Sequence, residues 1–285
     1  MNVLKTGFFL ALLTVLLVFV GQLIGGTQGA AMAFVLALLM NVISYWFSDK
    51  IVLAMYRAKP LAESEAPQVY RVVRELASRS GTPMPKLYLL PTMTPNAFAT
   101  GRSPKHAAVA VTSGILRIMG EEELKGILAH ELSHVKNRDT LVMTIAAAVA
   151  GAIAMLASWA RWGLMFGGGG NRDRRSGNAA VQVVALLVVA ILAPLAAMLI
   201  QLAISRTREY GADETGARLC GNPHGLADAL QKLDAAVHAC PLEGANPATA
   251  HLFIVNPLRA DAITRLFSTH PPIEERVKRL RSMRL

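Results

Sequence analysis

The stretch Gly120-Glu-Glu-Glu-Leu-Lys-Gly-Ile-Leu-Ala-His-Glu-Leu-Ser-His-Val-Lys136 decides the reading of this chain. Its acidic opening suits the positive end of a helix, and Leu124, Ile127, Leu128 and Leu132 recur at helical spacing. On that helix His130 and His134 stand four residues apart, so both imidazoles project from one face about one turn from each other. Neutral imidazole suits zinc, and a catalytic zinc takes three protein ligands and leaves a fourth position open. Glu131, beside the first histidine, points at that position, where its carboxylate can take a proton from water. A chance H-E-x-x-H on a polar helix face is the bland competitor. The amphipathic setting of the helix and a carboxylate pair further along the chain argue against it. That pair is Glu209 and Asp213, again four apart. The Glu can bind zinc, and the Asp can accept a hydrogen bond from the free ring nitrogen of a ligating histidine. Glu214, Asp261 and His251 remain lower-ranked candidates for the third ligand.

Outward from this helix the chain is strongly apolar: 53% of its 285 residues are hydrophobic and 17% are charged. Four stretches without a charge approach the roughly 20 residues that a membrane span needs: Thr6–Ile24, Ala30–Phe47, Thr140–Ala160 and Ala179–Ile204. The first two, separated only by Gly25 to Gly29, read as a helical hairpin rather than as a cleaved signal ahead of a soluble domain. Lys50, Arg57 and Lys59 follow that hairpin, while its turn is uncharged, so the positive-inside rule places Lys50 onward in the cytoplasm. The net charge of +10 shows no basic run interleaved with aromatics, so nucleic acid is not an expected partner. The tail from Arg276 to Arg284 is expected either on an anionic leaflet or as a solvated helix face. Cys220 and Cys240 both fall in segments assigned to the reducing cytoplasm, where no disulfide is expected.

Between the spans, Pro67 to Arg79 reads as a helix, and Lys86–Leu90 and His106–Thr112 as strands of a small sheet. The expected organisation is a transmembrane hairpin at 1–48, the first part of a protease domain at 49–139, a second hydrophobic hairpin at 140–204, and the rest of the domain at 205–285. The fold class is α+β, mostly helical: a zincin-like domain with a small β-sheet, anchored by up to four transmembrane helices. Asn96, Ala97, Phe98 and Ala99 precede the second strand and are expected to form the edge on which an extended substrate lies by strand addition. An ordinary loop and core strand is the alternative. His270, between Thr269 and Pro271, is a candidate stabiliser of the transition-state oxyanion, or else a brace for a turn.

Several segments together carry a resemblance: Asn96-Ala-Phe-Ala-Thr-Gly101, Ala107-Ala-Val-Ala-Val111, the helix with His130, Glu131 and His134, and Ser205-Arg-Thr-Arg-Glu-Tyr-Gly-Ala-Asp213. To these add Ala248-Thr-Ala-His-Leu-Phe-Ile-Val-Asn-Pro257 and Thr269-His-Pro271. The chain resembles the HtpX family of bacterial membrane zinc metalloproteases, which are related to the CAAX prenyl proteases. The resemblance implies one zinc ion per chain held by His130, His134 and Glu209, with Glu131 as the general base. It also implies a cell inner membrane location with the active site facing the cytoplasm, and polypeptide substrates, above all misfolded membrane proteins.

Three other readings compete. An intramembrane protease is disfavoured by the ionisable residues that flank the motif, among them Glu121, Glu122, Glu123, Lys125, Lys136, Arg138 and Asp139. A non-enzymatic membrane adaptor or chaperone requires the motif to be accidental or metal-free. A protease for prenylated C-termini shares the same chemistry. One conflict stands in the topology: both halves of the site must share one side of the membrane, yet the loop between the last two spans carries Arg172, Arg174 and Arg175 against Asp173.

Overall fold

The computed structural model describes residues 2–146, 206–239, 252–255 and 271–285. The first helix, α1 (Asn2–Met55), is bent at Gly25 and Gly26. Gly26 takes φ 58°, a left-handed conformation that glycine adopts without a Cβ penalty. Asn41, on the second leg, donates to Leu10 O and Thr14 Oγ1 on the first, at 3.2 and 2.8 Å, so the legs lie side by side as a hairpin. Among the described residues one helical stretch, the 31-residue Gly25–Met55, is long and apolar enough to cross a membrane, with a mean hydropathy of 1.9 in its 18-residue apolar window. Leu10–Phe19 of the first leg is a shorter apolar stretch. Phe34, Leu38, Leu39, Val42 and Trp46 are exposed along the second leg, as residues facing lipid would be.

At about 1.5 Å per residue the second leg is roughly 46 Å long, well beyond the 30 Å of a hydrocarbon core. The expected boundary at 48 therefore falls inside a helix. The excess length is used for packing: Val52 and Leu53 are buried against Leu90, Phe98, Ala108 and Ala110 of the sheet. Arg102 adds a second tie, its guanidinium 4.6 Å above the Trp46 ring and donating to Trp46 O at 3.1 Å.

Four strands, β1 (Lys59–Pro60), β2 (Lys86–Leu90), β3 (Ala97–Thr100) and β4 (Ala108–Thr112), form a mixed sheet in the order β1-β2-β4-β3. β2 runs parallel to β4, with Leu87 opposite Val109, and β3 runs antiparallel to it, with Ala99 opposite Val109. The second predicted strand begins two residues late because Pro104–His106 form a 3-10 turn. Alternation sends Ala97, Ala99, Val109 and Val111 to one face and Phe98, Ala108 and Ala110 to the other. The end of α1 covers the latter face. The former packs on α2 (Pro67–Ser80) and on α4 (Glu121–Lys136), which follows the short α3 (Ser113–Ile118).

The H-E-x-x-H helix is α4, and it is buried on all sides from Gly126 to Val135 rather than half-exposed as an amphipathic helix would be. Two helices, α5 (Arg206–Cys220) and α6 (Pro223–Ala239), cover the side that the sheet and α2 leave open. Ile127, Leu128 and Leu132 are wholly buried, each contributing on the order of 1.5–3 kcal/mol through the hydrophobic effect. The two ends of α4 reach water: Lys136 is exposed, and in the first turn Glu121 pairs with Arg71, Glu122 accepts from Asn222 and Glu123 pairs with Lys232. Glu123 also accepts from Gly120 N at 2.7 Å, capping the helix start. The last helix, α7 (Ile273–Ser282), docks on α5 and α6 with Val277 and Leu280 in the core. Lys278, Arg279 and Arg281 lie on a solvated helix face and Arg284 is exposed beyond it, one of the two expected readings of this tail, but Arg276 departs from it: it is 0% exposed. Of the last two predicted spans, 140–146 forms a buried helical run and 147–204 lies outside the described residues.

Candidate metal centre

His130 and His134 come from adjacent turns of α4, and their Nε2 atoms face each other at 3.3 Å. Glu209 enters from the first turn of α5, with Oε1 3.5 Å from His134 Nε2 and Oε2 3.8 Å from His130 Nε2. The helices approach this closely because Gly216 lies against α4, where a Cβ would stand 2.9 Å from His130 N. All three side chains are buried, and one ligand atom from each can meet within 4.8 Å.

These residues fit a metal on three counts. With zinc–ligand bonds of about 2.0–2.1 Å, the corners of a tetrahedron stand about 3.3–3.4 Å apart, close to the 3.3 Å between the two Nε2 atoms and the 3.5 Å from His134 Nε2 to Glu209 Oε1. Two imidazole nitrogens and a carboxylate oxygen are a donor set that zinc takes. The charges agree as well: Glu131, Asp139, Glu209 and Asp213 are buried carboxylates, and Arg276 is a buried guanidinium. Arg208 places its guanidinium nitrogens out of solvent within the electrostatic reach of Asp139 and Glu209. Four buried carboxylates set against two guanidiniums suit a site that holds a divalent cation.

Each histidine turns its other nitrogen to a carboxylate. His130 Nδ1 lies 2.9 Å from Asp213 Oδ1, a short contact bent away from hydrogen-bond alignment. His134 Nδ1 lies 3.4 Å from Asp139 Oδ2. Such contacts fix Nε2 as the metal-facing nitrogen. In the metal-free chain, burial works against a protonated His134. The hydrogen bond to Asp139 and the charges of Glu209 and Glu131 outweigh that, so its pKa is raised. Burial likewise works against an ionised Asp213, but the charge and hydrogen bonds of Arg276, with the contact from His130, hold it down to about 2.

Glu131 faces the same cavity, which is walled by Phe98, Ala99, Met143, Leu252, Phe253 and Ile254. Burial raises its pKa despite the opposing influence of His130, His134 and the Ala99 amide. That amide donates to Glu131 Oε2 at 2.7 Å. β3 is an edge strand of the sheet, where backbone groups alternate between partner and open side. Because Ala99 N points away from β4 to Glu131, Ala97 and Ala99 present their backbone groups outward. Asn96 takes the amide of Ile254 on its Oδ1 at 3.1 Å.

The sequence-predicted residues His130, Glu131, His134, Glu209 and Asp213 are thus brought together, with Phe98 and Ala99 on the cavity wall. Glu214 is not: it is exposed and pairs with Arg218 at 3.1 Å. His251, Asp261, His270 and Cys240 lie outside the described residues, while Cys220 is a buried free thiol. Two site residues were missed. In the sequence Asp139 is only a flanking charge, but Arg138 takes φ 59° after the end of α4 and turns the chain back so that Asp139 reaches His134. Arg276 stands in the sequence as one member of a basic tail. A signal was present: Ile273, Arg276, Val277 and Leu280 follow the i, i+3, i+4, i+7 pattern of a buried stripe, so a charged residue occupies a core position.

Comparison with known proteins gives a single answer. Residues 63–284 match peptidase family M48. A protein described as a protease HtpX homolog from Syntrophobacter fumaroxidans is 60% identical over 280 residues, 98% of each chain. A second of that description, from Pyrococcus furiosus, is 57% identical over 98% of this chain and 95% of its own. Among solved structures, S. mikatae Ste24p superposes with a TM-score of 0.50 at 18% identity, over 96% of this chain and 62% of that one. The last likeness bears on the fold alone.

Proposed function

The chain belongs to peptidase family M48 and is a membrane-bound metalloprotease, and from that premise we propose that it is a zinc-dependent endopeptidase of a cell's inner membrane. Its site faces the cytoplasm and acts on misfolded or damaged membrane proteins. The observation that carries the reading is the buried His130, His134 and Glu209 group with Glu131 beside it. This assembled site, in a protease family, displaces the adaptor reading.

Zinc held by His130, His134 and Glu209 would supply Lewis-acid polarisation of a substrate carbonyl and of the attacking water. Glu131 takes the proton from that water and returns it to the leaving amine. Burial suits it to both steps, because it lifts the carboxylate's affinity for a proton. Asp213 and Asp139 keep the two imidazoles turned inward. The outward backbone groups of Ala97 and the carbonyl of Ala99 pair with an extended substrate as an added strand. His270 is proposed to stabilise the oxyanion.

The end of α1 packs on the sheet, and Arg102 ties the chain after β3 to Trp46, an interfacial residue type. That arrangement supports substrates met at the membrane surface, and four spans would hold both halves of the site on one side. The test is cleavage of an unfolded model polypeptide by detergent-purified wild type and Glu131→Gln, with zinc measured in both. Zinc in both and cleavage by wild type alone supports the proposal; equal cleavage by the two proteins overturns the role of Glu131.

A further inference from the structure

Arg276 enters the site from α7, the last helix of the chain, without closely touching a metal-binding atom. Its Nη1 stands 3.8 Å from Glu209 Oε2. The guanidinium fork is instead spent on Asp213: Nε donates to Oδ2 at 2.8 Å and Nη2 to Oδ1 at 2.7 Å. Oδ1 is also the oxygen 2.9 Å from His130 Nδ1. One carboxylate oxygen therefore serves both the guanidinium and the imidazole. A two-pronged bond fixes the plane of a carboxylate in a way that a single point charge does not, because rotation of the carboxylate breaks both prongs.

The helix that supplies this fork is itself anchored to the surrounding scaffold. One turn beyond Arg276, Arg279 lies 3.7 Å above the ring of Tyr210, the neighbour of Glu209 on α5. Arg281 donates to Asp228 of α6 at 2.6 Å, and Val277 and Leu280 fill the core beneath. From this geometry we infer that Arg276 is a positioning residue for the metal site. It holds the Asp213 carboxylate in the plane that orients His130, and so makes docking of the C-terminal helix a condition of tight metal binding.

The inference rests on the proposed zinc protease and deepens it. Its test is zinc affinity, measured by competition with a chromophoric chelator on full-length protein in detergent. The proteins compared are wild type, Arg276→Gln, Arg276→Lys, Asp213→Asn and the Asp213→Asn/Arg276→Gln double variant. Loss of a partner behind a metal ligand costs roughly 10–100-fold in affinity, and Arg276→Gln should fall in that range. Arg276→Lys, which keeps the charge and lacks the fork, should recover only part of the loss. In the Asp213→Asn background Arg276→Gln should add less than about threefold, because a residue that acts through Asp213 has nothing left to position. A residue that merely supports the fold would multiply the loss instead. Wild-type affinity in Arg276→Gln, or multiplicative losses in the double variant, overturns the inference. If the Gln variant does not fold, wild-type affinity in Arg276→Lys overturns it equally. A wild-type protein that binds no zinc ends the proposed function and this inference together, whereas unchanged affinity in the variants ends this inference alone.

Discussion

Removing Asp213 should destabilise the protein more than removing Arg276, although the two are partners in one buried ion pair. Both are buried, and the pair is joined by two hydrogen bonds of 2.8 and 2.7 Å. Breaking such a pair from one side strands the other charge out of water, at about 3–5 kcal/mol. The two stranded partners are not equivalent. A guanidinium stays charged at any pH the fold survives, so Asp213→Asn leaves Arg276 charged and without its two hydrogen bonds, with Glu209 Oε2 at 3.8 Å offsetting only part of its burial. A lone Asp213 can instead take up a proton, because the influence that holds it at about 2 comes largely from Arg276. Arg276→Met should therefore cost less, and progressively less as the pH is lowered. For a chain of this size about 1 kcal/mol shifts the melting temperature by roughly 2–4 °C, which puts Asp213→Asn on the order of 6–20 °C below wild type. The assay is thermal unfolding of chelator-treated protein in detergent at two pH values, extended to the Asp213→Asn/Arg276→Met double variant, which should recover part of the loss. An Asp213→Asn protein as stable as Arg276→Met, or more so, would refute the reasoning.

Other consequences follow from single contacts. Gly216→Val should push α5 away from His130 and lower stability by about 1–3 kcal/mol, as overpacking does, with a parallel fall in zinc affinity seen in chelator titration. Ala97→Pro should abolish cleavage while leaving zinc content unchanged; loss of both together would show damage to the site rather than to substrate pairing. Ala99→Pro would also remove the amide that donates to Glu131, so position 97 is the cleaner probe. The pH dependence of metal binding has a definite sign. The pKa of His134 is raised in the metal-free fold, so its protonation stabilises that fold at low pH, and the contribution is lost as pH rises through the raised value. Zinc competes with that proton, so affinity should begin to fall on acidification from above the ordinary histidine range, which zinc titration at stepped pH would show.

What the sequence made legible here was short-range. His130, Glu131 and His134 could be placed because four-residue spacing sets side-chain direction on a helix, and Glu209 with Asp213 for the same reason. Lys86–Leu90 was found at its observed limits because apolar β-forming residues are bounded there by prolines. The losses came where distant segments decide. Full burial of α4 depends on α5 and α6, which follow it by some 70 residues or more, and no local pattern reveals a helix flanked on every side. The role of Asp139 depends on one backbone dihedral at Arg138. Arg276 was hidden among Arg279, Arg281 and Arg284, which share its charge but not its place in the apolar stripe of α7. The second leg of α1 ran past its apolar stretch because its last turns exchange lipid for the sheet.

The most direct test of the account is the zinc content of purified wild type, His134→Ala, Glu209→Ala and Glu214→Ala after dialysis against a weak chelator. The geometry of the centre predicts one zinc per chain in wild type and in Glu214→Ala, where the replaced side chain is exposed and paired with Arg218. It predicts loss of zinc from His134→Ala and Glu209→Ala. Zinc retained at wild-type affinity without Glu209, or lost without Glu214, would contradict the metal centre on which the mechanism depends.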